Sequence, residues 1–154
     1  MKNHIPRGAT IVYSDPGEPL DVRYFCSNKV ILDNGERVQI RRAESAGTPI
    51  AQSQTDSVII AAPADATTYY ALLYLHIMCD AATAVTLNTK GSGAGVAING
   101  PWPLSEDGGF IKDYCGLVYG RTQPGEALTM TTGAGGNTSY EIHFIEVPLN
   151  VDLL

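Results

Sequence analysis

The longest apolar run of the sequence, residues 69–80, organises the pattern of the whole chain. Side chains of a β-strand alternate between two faces, and in this run both faces are rich in apolar and aromatic residues. A strand that is apolar on both faces is usually an interior strand that is covered from both sides. A helix could carry the same run, but its Gly- and Thr-rich flanks favour a strand. The run therefore predicts the central strand of a sheet.

Further short segments on both sides of this run have the composition or the alternation of strands. They are residues 58–61, 84–89, 96–98, 109–111, 115–119, 125–131 and 138–147. In the last segment, Tyr140, Ile142 and Phe144 are predicted on one face and Glu141 and His143 on the other. We interpret residues 99–104 as a proline-braced crossing loop. A strand every 8–12 residues or so is typical of sandwiches and barrels, so we predict an antiparallel β-sandwich of jelly-roll type.

The first third of the chain is predicted to be an extension outside this sandwich. Residues 9–13 and 22–26 have the composition of short strands, and residues 29–40 predict a β-hairpin around Asp33-Asn34-Gly35. Residues 41–56 are small and polar, and we interpret them as a loop or linker. The predicted organisation is an arm and hairpin over residues 1–56, a jelly roll over residues 57–148 and a tail over residues 149–154.

Charge is divided unevenly between these parts. Residues 1–50 hold seven basic and six acidic residues, whereas residues 51–154 hold three and ten, for a net charge of −6. This asymmetry indicates that the N-terminal third faces something different from what the rest of the chain faces. A chance drift in the distribution of charged residues explains it equally well. An acidic chain argues against general nucleic-acid binding. The candidate partner-binding residues are Arg7, Arg23, Arg37, Arg41 and Arg42.

Cysteine usage and hydropathy favour a reducing cytoplasm as the site of synthesis. Cys26, Cys79 and Cys115 are far apart and include no Cys-x-x-Cys pair, so we interpret them as buried thiols. The first fifteen residues contain no apolar signal core, and no run approaches the length of a membrane span. We therefore expect no membrane partner.

Two motifs that could carry chemistry fail on their details. Residues 91–95 read Gly-Ser-Gly-Ala-Gly, but Val96 breaks the dinucleotide-binding pattern and no lysine–serine pair follows. Glu106, Asp107 and Asp113 surround a glycine loop, but their spacing matches no calcium loop. We interpret both stretches as turns.

The histidines predict no metal site. His4, His76 and His143 are widely separated, and the chain lacks the His-x-His pair on which metal-binding jelly rolls of the cupin type rely. His76 and His143 could converge on Glu141 or Glu146, but no third ligand is indicated. We therefore predict no metal, no cofactor and no catalytic turnover.

One face of the long strand carries more apolar surface than a lone domain usually exposes. Under strict alternation that face is predicted to be an oligomer interface, and a trimer is the expected assembly. The candidate interface residues are Tyr70, Leu72, Tyr74, His76, Met78 and Trp102. The tyrosines could also form a carbohydrate platform, although core and interface filling is the more usual role of such rings.

Residues 58–147 carry an ordered series of features. A long apolar strand precedes a Thr-rich strand and Gly-Ser-Gly turns, and a Pro-rich loop ending in Leu104 precedes Gly108-Gly109-Phe110. Gly125-Glu-Ala-Leu128 then enters a strand, and the last strand ends in Phe-Ile-Glu-Val147. This order resembles the small jelly-roll virion proteins of tailed bacteriophages, particularly capsid decoration or cement proteins. The resemblance implies a non-enzymatic virion protein, often a homotrimer, that sits on the capsid surface and bridges major capsid subunits.

Two other functions stay open at this point. A tail, baseplate or receptor-binding module would have the same fold, and so would an enzyme or lectin built on a jelly roll. Within the decoration hypothesis, we expect residues 1–56 to anchor the protein on neighbouring subunits. The rival expectation is that the hairpin packs back on its own sandwich.

Overall fold

The structure is a computed structural model that describes residues 29–32, 35–113 and 118–151. Over these ranges the chain forms eleven β-strands and no helix, and hence no helix that could cross a membrane. The strands are β1 (Lys29–Ile31), β2 (Arg37–Gln39), β3 (Arg41–Glu44), β4 (Ser57–Ile60), β5 (Thr68–Cys79), β6 (Thr83–Lys90), β7 (Val96–Leu104), β8 (Gly109–Asp113), β9 (Gly120–Arg121), β10 (Ala127–Thr132) and β11 (Thr138–Pro148).

Eight strands pair as a nested set of antiparallel hairpins. The outermost pair is β3 with β11, followed inward along the chain by β4 with β10, β5 with β8, and β6 with β7. Folding this set over gives two sheets, with strand orders β3-β11-β5-β8 and β4-β10-β6-β7. We call them the first and the second sheet. This is the jelly-roll arrangement, so the predicted fold class is confirmed.

The main core lies between the two sheets because one face of each strand is apolar. Leu87 and Met130 of the second sheet and Leu75 and Ile142 of the first are fully buried there. The long strand predicted as central is β5, and it lies between β11 and β8 inside the first sheet. The other side chains of this core are Tyr70, Leu72, Ile77, Cys79, Val85, Leu104, Leu128 and Phe144.

A β-bulge divides β5 into two parts. The register pairs Tyr74 with His143 and Leu72 with Phe144, so Leu73 is an extra residue without an opposite partner on β11. Because an extra residue shifts the alternation by one, side chains before and after Leu73 exchange faces. Strict alternation along the whole run, as expected from the sequence, is therefore wrong.

The bulge changes which residues face the core. Before Leu73 the even-numbered residues Tyr70 and Leu72 face the second sheet, whereas after it the odd-numbered residues Leu75 and Ile77 do so. The outer face of the first sheet correspondingly receives odd-numbered residues before the bulge and even-numbered residues after it. The two parts of β5 thus contribute different chemistry to that face.

The β1–β2 hairpin packs on the outer face of the first sheet. Its register pairs Lys29 with Gln39 and Val30 with Val38, which confirms the predicted hairpin. Together with Val151 it covers a second buried apolar cluster. The cluster contains Val30, Leu32, Tyr69, Ala71, Leu73, Ile145, Val147 and Val151. The hairpin therefore packs on its own sandwich, as the rival expectation held, and the anchoring of residues 1–56 on neighbouring subunits stays a prediction.

The interpretation of residues 41–56 as a loop is wrong at its start. Residues 41–44 form β3, an edge strand of the first sheet that pairs with β11. Ile50 makes a further bridge to Thr138. The sandwich therefore begins well before the predicted boundary at residue 57. The sequence of β3 is Arg-Arg-Ala-Glu, in which only Ala43 packs against the core, so the segment shows no apolar alternation.

The proposed crossing loop at residues 99–104 is also wrong. Strand β7 runs through it from Val96 to Leu104, including Pro101 and Pro103. Proline cannot donate to a strand ladder and is tolerated on edge strands, and β7 is the edge of the second sheet. The predicted strands at residues 9–13 and 22–26, and most of the one at 115–119, lie outside the described residues.

Candidate interaction face

The described residues cover only one part of the outer face of the first sheet. We call the part under the hairpin the covered half, and its sheet residues are Tyr69, Ala71, Leu73, Ile145 and Val147. We call the remainder the open half. Its residues follow from the register, and they are Arg42, Glu44, Tyr74, His76, Met78, Ile111, Asp113, Ser139, Glu141 and His143.

The open half consists of rows of directly opposed side chains across four strands. One row runs Arg42, His143, Tyr74 and Asp113 from β3 to β8. The next row runs Glu44, Glu141, His76 and Ile111. Such opposed residues lie about 4.5–5.5 Å apart at Cβ, close enough to interact. The face therefore combines both signs of charge with aromatic and apolar groups.

Four polar groups of the open half are paired with one another, namely those of Arg42, Glu44, Glu141 and His143. His143 Nε2 lies 2.8 Å from Glu141 Oε1, and Arg42 Nε lies 3.3 Å from the same oxygen. Arg42 also pairs with Glu44. The ring of His143 stacks on that of Tyr74 with centroids 4.6 Å apart. Burial raises the pKa of Tyr74 above its ordinary value of 10.0, and the nearby Glu141 and Asp113 carboxylates add to the rise.

Two large apolar side chains of the open half are exposed. Met78 is 50 % exposed and Ile111 is 60 % exposed. Ile111 is opposite His76, two positions before Met78 on β5, so the two side chains are diagonal neighbours on one face. Exposed apolar side chains that adjoin one another inside a polar border are a feature of interaction sites.

A shallow cavity of about 260 Å³ lies beside this apolar pair, under the loop that follows β3. It is lined by residues that include Glu44, His76, Met78 and Glu141. Among the described residues, no group of three or more His, Cys, Asp and Glu side chains could hold a metal ion. Of the two histidines that could have converged on Glu141, His143 contacts its carboxylate and His76 lies opposite it on β5.

The predicted oligomer interface is divided by the bulge. Tyr74, His76 and Met78 lie on the open half, but Tyr70 and Leu72 are 3 % and 0 % exposed in the main core. Tyr70 Oη donates a hydrogen bond of 2.8 Å to the Ala61 carbonyl oxygen. Their placement on an exposed face is therefore wrong, because a register shift that alternation does not reveal turns them inward.

Trp102 is also remote from the open half. It lies on β7, where its ring meets that of Phe110 edge-on at 4.9 Å between the two sheets. The Lys112 ammonium stands 5.1 Å from the centre of the Trp102 ring, a cation–π contact. The indole thus closes the gap between the sheets on the β7/β8 side, with Tyr119 beside it.

The predicted partner-binding arginines lie in different surroundings. Arg41 pairs with Glu146 at 2.6 Å, and Arg42 belongs to the open half. Arg37 is exposed on β2. Arg7 and Arg23 lie outside the described residues. The two arginines of β3 therefore have carboxylate partners within their own chain, whereas the sequence suggested partners on a neighbour.

Sequence reasoning missed Ile111 and Glu44 as members of a surface. Both follow the strand alternation of short segments, but only the pairing of β8 and β3 with the long strands brings them beside His76 and Met78. For β8, the alternation of Phe110 and Ile111 could have indicated one inward and one outward residue. For β3, the sequence contains no apolar alternation that could have indicated a strand.

Sequence reasoning also missed Asp56, which organises the turn at residues 91–95. Its carboxylate accepts hydrogen bonds from Gly95 N at 2.8 Å, Lys90 Nζ at 3.0 Å and Asn88 Nδ2 at 2.9 Å. The Gly95 amide is the main cause that holds the pKa of Asp56 below its ordinary value of 3.8, and Lys90 adds to it. The resemblance to a phosphate loop thus has a structural explanation, because one of its amides is engaged by a carboxylate of the chain.

The remaining candidates are structural as well. Cys79 is buried, with Sγ 3.2 Å from the Ser105 carbonyl oxygen, as expected for a core thiol. Cys26 and Cys115 lie outside the described residues. Glu106, Asp107 and Asp113 are exposed.

No protein-family model, no curated protein and no solved structure matches this chain.

Proposed function

We propose that the protein is a structural virion protein that decorates a bacteriophage capsid and cements it by bridging major capsid subunits. The observation that supports this most is the open half of the first sheet, an exposed face with an apolar pair at Met78 and Ile111. The jelly-roll fold and the resemblance of residues 58–147 to virion proteins of tailed bacteriophages favour a phage capsid as the particle to which the protein binds. The capsid lattice is then the partner, and the protein acts by binding alone.

The composition of the open half suits docking on another protein. Met78 and Ile111 supply apolar surface whose burial is favourable by about 25 cal/mol per Å². Around them stand charges that already have partners on the same face. Paired charges at the border of an interface add specificity more than affinity. An apolar centre with a polar border is the usual anatomy of a protein–protein interface.

The proposal is tested by rebinding to particles. Virions of the phage that encodes the chain are stripped of it by mild denaturant, and the purified protein is added back and quantified by cosedimentation. The double variant M78D/I111D should lose at least about tenfold in affinity, because two carboxylates enter the centre of the contact. The matched control is Val58→Asp, since Val58 is an equally exposed apolar residue, 63 % exposed, on the second sheet.

Two results would contradict the proposal. Native protein that fails to bind stripped capsids, or a double variant that binds as well as Val58→Asp, would exclude docking through the open half. Labelling intact virions with an antibody against the chain locates the protein independently. Signal at the tail or baseplate instead of the shell would favour the alternative, a tail or receptor-binding module.

The predicted homotrimer belongs to this proposal and has a separate test. Sedimentation equilibrium of the purified chain at roughly tens of micromolar should give three times the mass of 16.4 kDa. A monomer at that concentration would contradict the trimer while leaving capsid docking open.

A further inference from the structure

The open half has more negative than positive charge. Its charged residues are Arg42, Glu44, Asp113 and Glu141, so one positive charge stands against three negative ones and the net charge is −2 with neutral histidines. Arg42, Glu44 and Asp113 are exposed, and the side chain of Glu141 is 29 % exposed. A partner that covers this face therefore meets a surface with a surplus of negative charge.

The three carboxylates lie close to the apolar pair of Met78 and Ile111. Asp113 follows Ile111 by two positions on β8, so the two residues are about 7 Å apart on one face. Glu141 and Glu44 lie in the row of Ile111, two and three strands away, which is about 10 and 14 Å. A standard interface covers about 800 Å² on each partner, a disc of about 16 Å radius. A contact centred on the apolar pair therefore includes all three carboxylates.

The electrostatic potential at the centre of the open half is negative. Arg42 contacts both Glu44 and Glu141, but its single charge offsets only one of the three carboxylates. The hydroxyl of Tyr74 responds to this balance. Burial raises its pKa most, Glu141 and Asp113 raise it further, and the opposing effect of Arg42 is the smallest of the four. At this ring the carboxylates therefore outweigh the guanidinium group.

Two of these carboxylates are held in place by other side chains of the face. Glu141 Oε1 lies 2.8 Å from His143 Nε2 and 3.3 Å from Arg42 Nε. Arg42 also pairs with Glu44. Side chains that are ordered before binding lose less conformational entropy when a partner docks. These contacts therefore make the two carboxylates preformed acceptors for the cationic groups of a partner.

We propose that the open half docks on a basic protein surface, in which lysine or arginine side chains surround an apolar patch. The apolar patch covers Met78 and Ile111, and the cationic side chains pair with the three carboxylates around them. Covering these carboxylates without cationic partners would take them out of water at a cost in free energy. Complementary potentials also steer two proteins together and exclude partners of the wrong sign.

A second copy of the chain fits the open half poorly. Two open halves placed face to face would bring carboxylates together, and like charges in contact are unfavourable. The whole chain also has a net charge of −6. The occupant is therefore a basic region of the major capsid subunit. This inference rests on the proposed function, since it gives the chemistry of the capsid surface on which the protein docks.

Rebinding of the full-length chain to stripped virions tests the sign of the partner's charge. The double variant E44Q/D113N removes two negative charges with little change of shape and leaves Glu141 in its contacts. The control A84K/A97K changes the net charge by the same amount at two exposed positions of the second sheet. By cosedimentation in about 50 mM salt, E44Q/D113N should lose about threefold to tenfold in affinity. The control should change by less than about twofold, and thermal unfolding verifies that both variants are folded.

Salt dependence gives a second measurement, which needs no variant. Because charges are screened over about 10 Å at 0.1 M salt and over less at higher salt, the affinity of native protein should fall at least about threefold between about 50 and 300 mM salt. The affinity of E44Q/D113N should fall less. Native binding that salt does not weaken, or an E44Q/D113N variant that binds as well as A84K/A97K, would overturn the basic partner and leave docking through Met78 and Ile111 intact. Native protein that binds no stripped capsid would overturn both.

Discussion

The covered and open halves of the first sheet are made by the same two long strands, yet they have different surroundings. On the covered half, β5 and β11 present Tyr69, Leu73, Ile145 and Val147, and the hairpin buries all four. On the open half the same strands present aromatic, charged and amphipathic residues, of which Met78 stays half exposed. The comparison shows that the described residues cover the outer face of this long strand over only part of its length.

The bulge at Leu73 separates the two halves. Because of it, the even-numbered Tyr70 and Leu72 and the odd-numbered Leu75 and Ile77 all face the main core. The outer face changes parity at the same place. A structural surface and a candidate interaction surface are thereby combined on one strand, and the following predictions test that separation.

Deletion of His76 should have the largest effect. Without it Leu75 and Ile77 become neighbours, and only one of them can face the core, since one residue reverses every side chain beyond it. We expect a loss above about 4 kcal/mol in the free energy of unfolding, or no cooperative transition at all. Denaturant unfolding measures this. Deletion of Leu73 removes the extra residue of the bulge and leaves the side chains before and after it on their present faces, so it should lose no more than Leu73→Ala, about 2–5 kcal/mol. A Leu73 deletion that is as damaging as the His76 deletion would contradict the assignment of Leu73 as the extra residue.

Removal of residues 1–40 should uncover the covered half. Without the hairpin, Tyr69, Leu73 and Val147 meet water, and we expect aggregation or strong binding of a hydrophobic dye. The control is removal of residues 1–28, which keeps the hairpin and should leave dye binding near that of the full chain. A 1–40 deletion that stays monodisperse, dye-negative and as stable as the control would show that the hairpin is not part of the core.

Truncation of one residue in each half should give unequal losses. Ile145→Ala removes a fully buried side chain of the covered half and should cost about 2–5 kcal/mol in the free energy of unfolding. Met78→Ala removes a half-exposed one of the open half and should stay within about 0.5 kcal/mol. Thermal and denaturant unfolding compare the pair. Similar losses would mean that the open half is also covered in the protein in solution.

Charge removal should have the smallest effects and should distinguish a partly exposed carboxylate, Glu141, from one with little exposure, Asp56. Glu141→Gln on the open half is expected to change the free energy of unfolding by less than about 0.5 kcal/mol. Asp56→Asn should cost about 1–2 kcal/mol, because a carboxylate with a side-chain exposure of 5 % loses hydrogen bonds from Gly95 and Lys90.

The pH dependence of this loss has a defined sign. Since the pKa of folded Asp56 lies below its ordinary value of 3.8, its stabilisation is complete above that value and disappears as pH falls towards the lowered pKa. The difference between native protein and Asp56→Asn should thus be constant near neutral pH and shrink below about pH 4. A difference that grows on acidification would contradict the assignment.

Much of the fold was determined by local signals in the sequence. The period-two alternation of residues 84–89 and 138–147, together with the Asn34-Gly35 turn signal, was sufficient to predict strands, a hairpin and a sandwich. These signals are local because the alternation of a strand and the positive φ of a tight turn, here +81° at Gly35, depend on neighbouring residues alone. The apolar β5 was likewise predictable as an interior strand.

Tertiary structure alone decided where the faces lie and what covers them. The bulge at Leu73 depends on how β11 pairs with β5, and no residue of the run marks it. Strand β3 has almost no apolar pattern, since only Ala43 of its four residues packs against the core. Its existence as an edge strand depends on the partner that β11 offers. The division into covered and open halves follows from the position of the hairpin. The hairpin is held there by long-range contacts between β1–β2 and β11, which short-range alternation cannot specify.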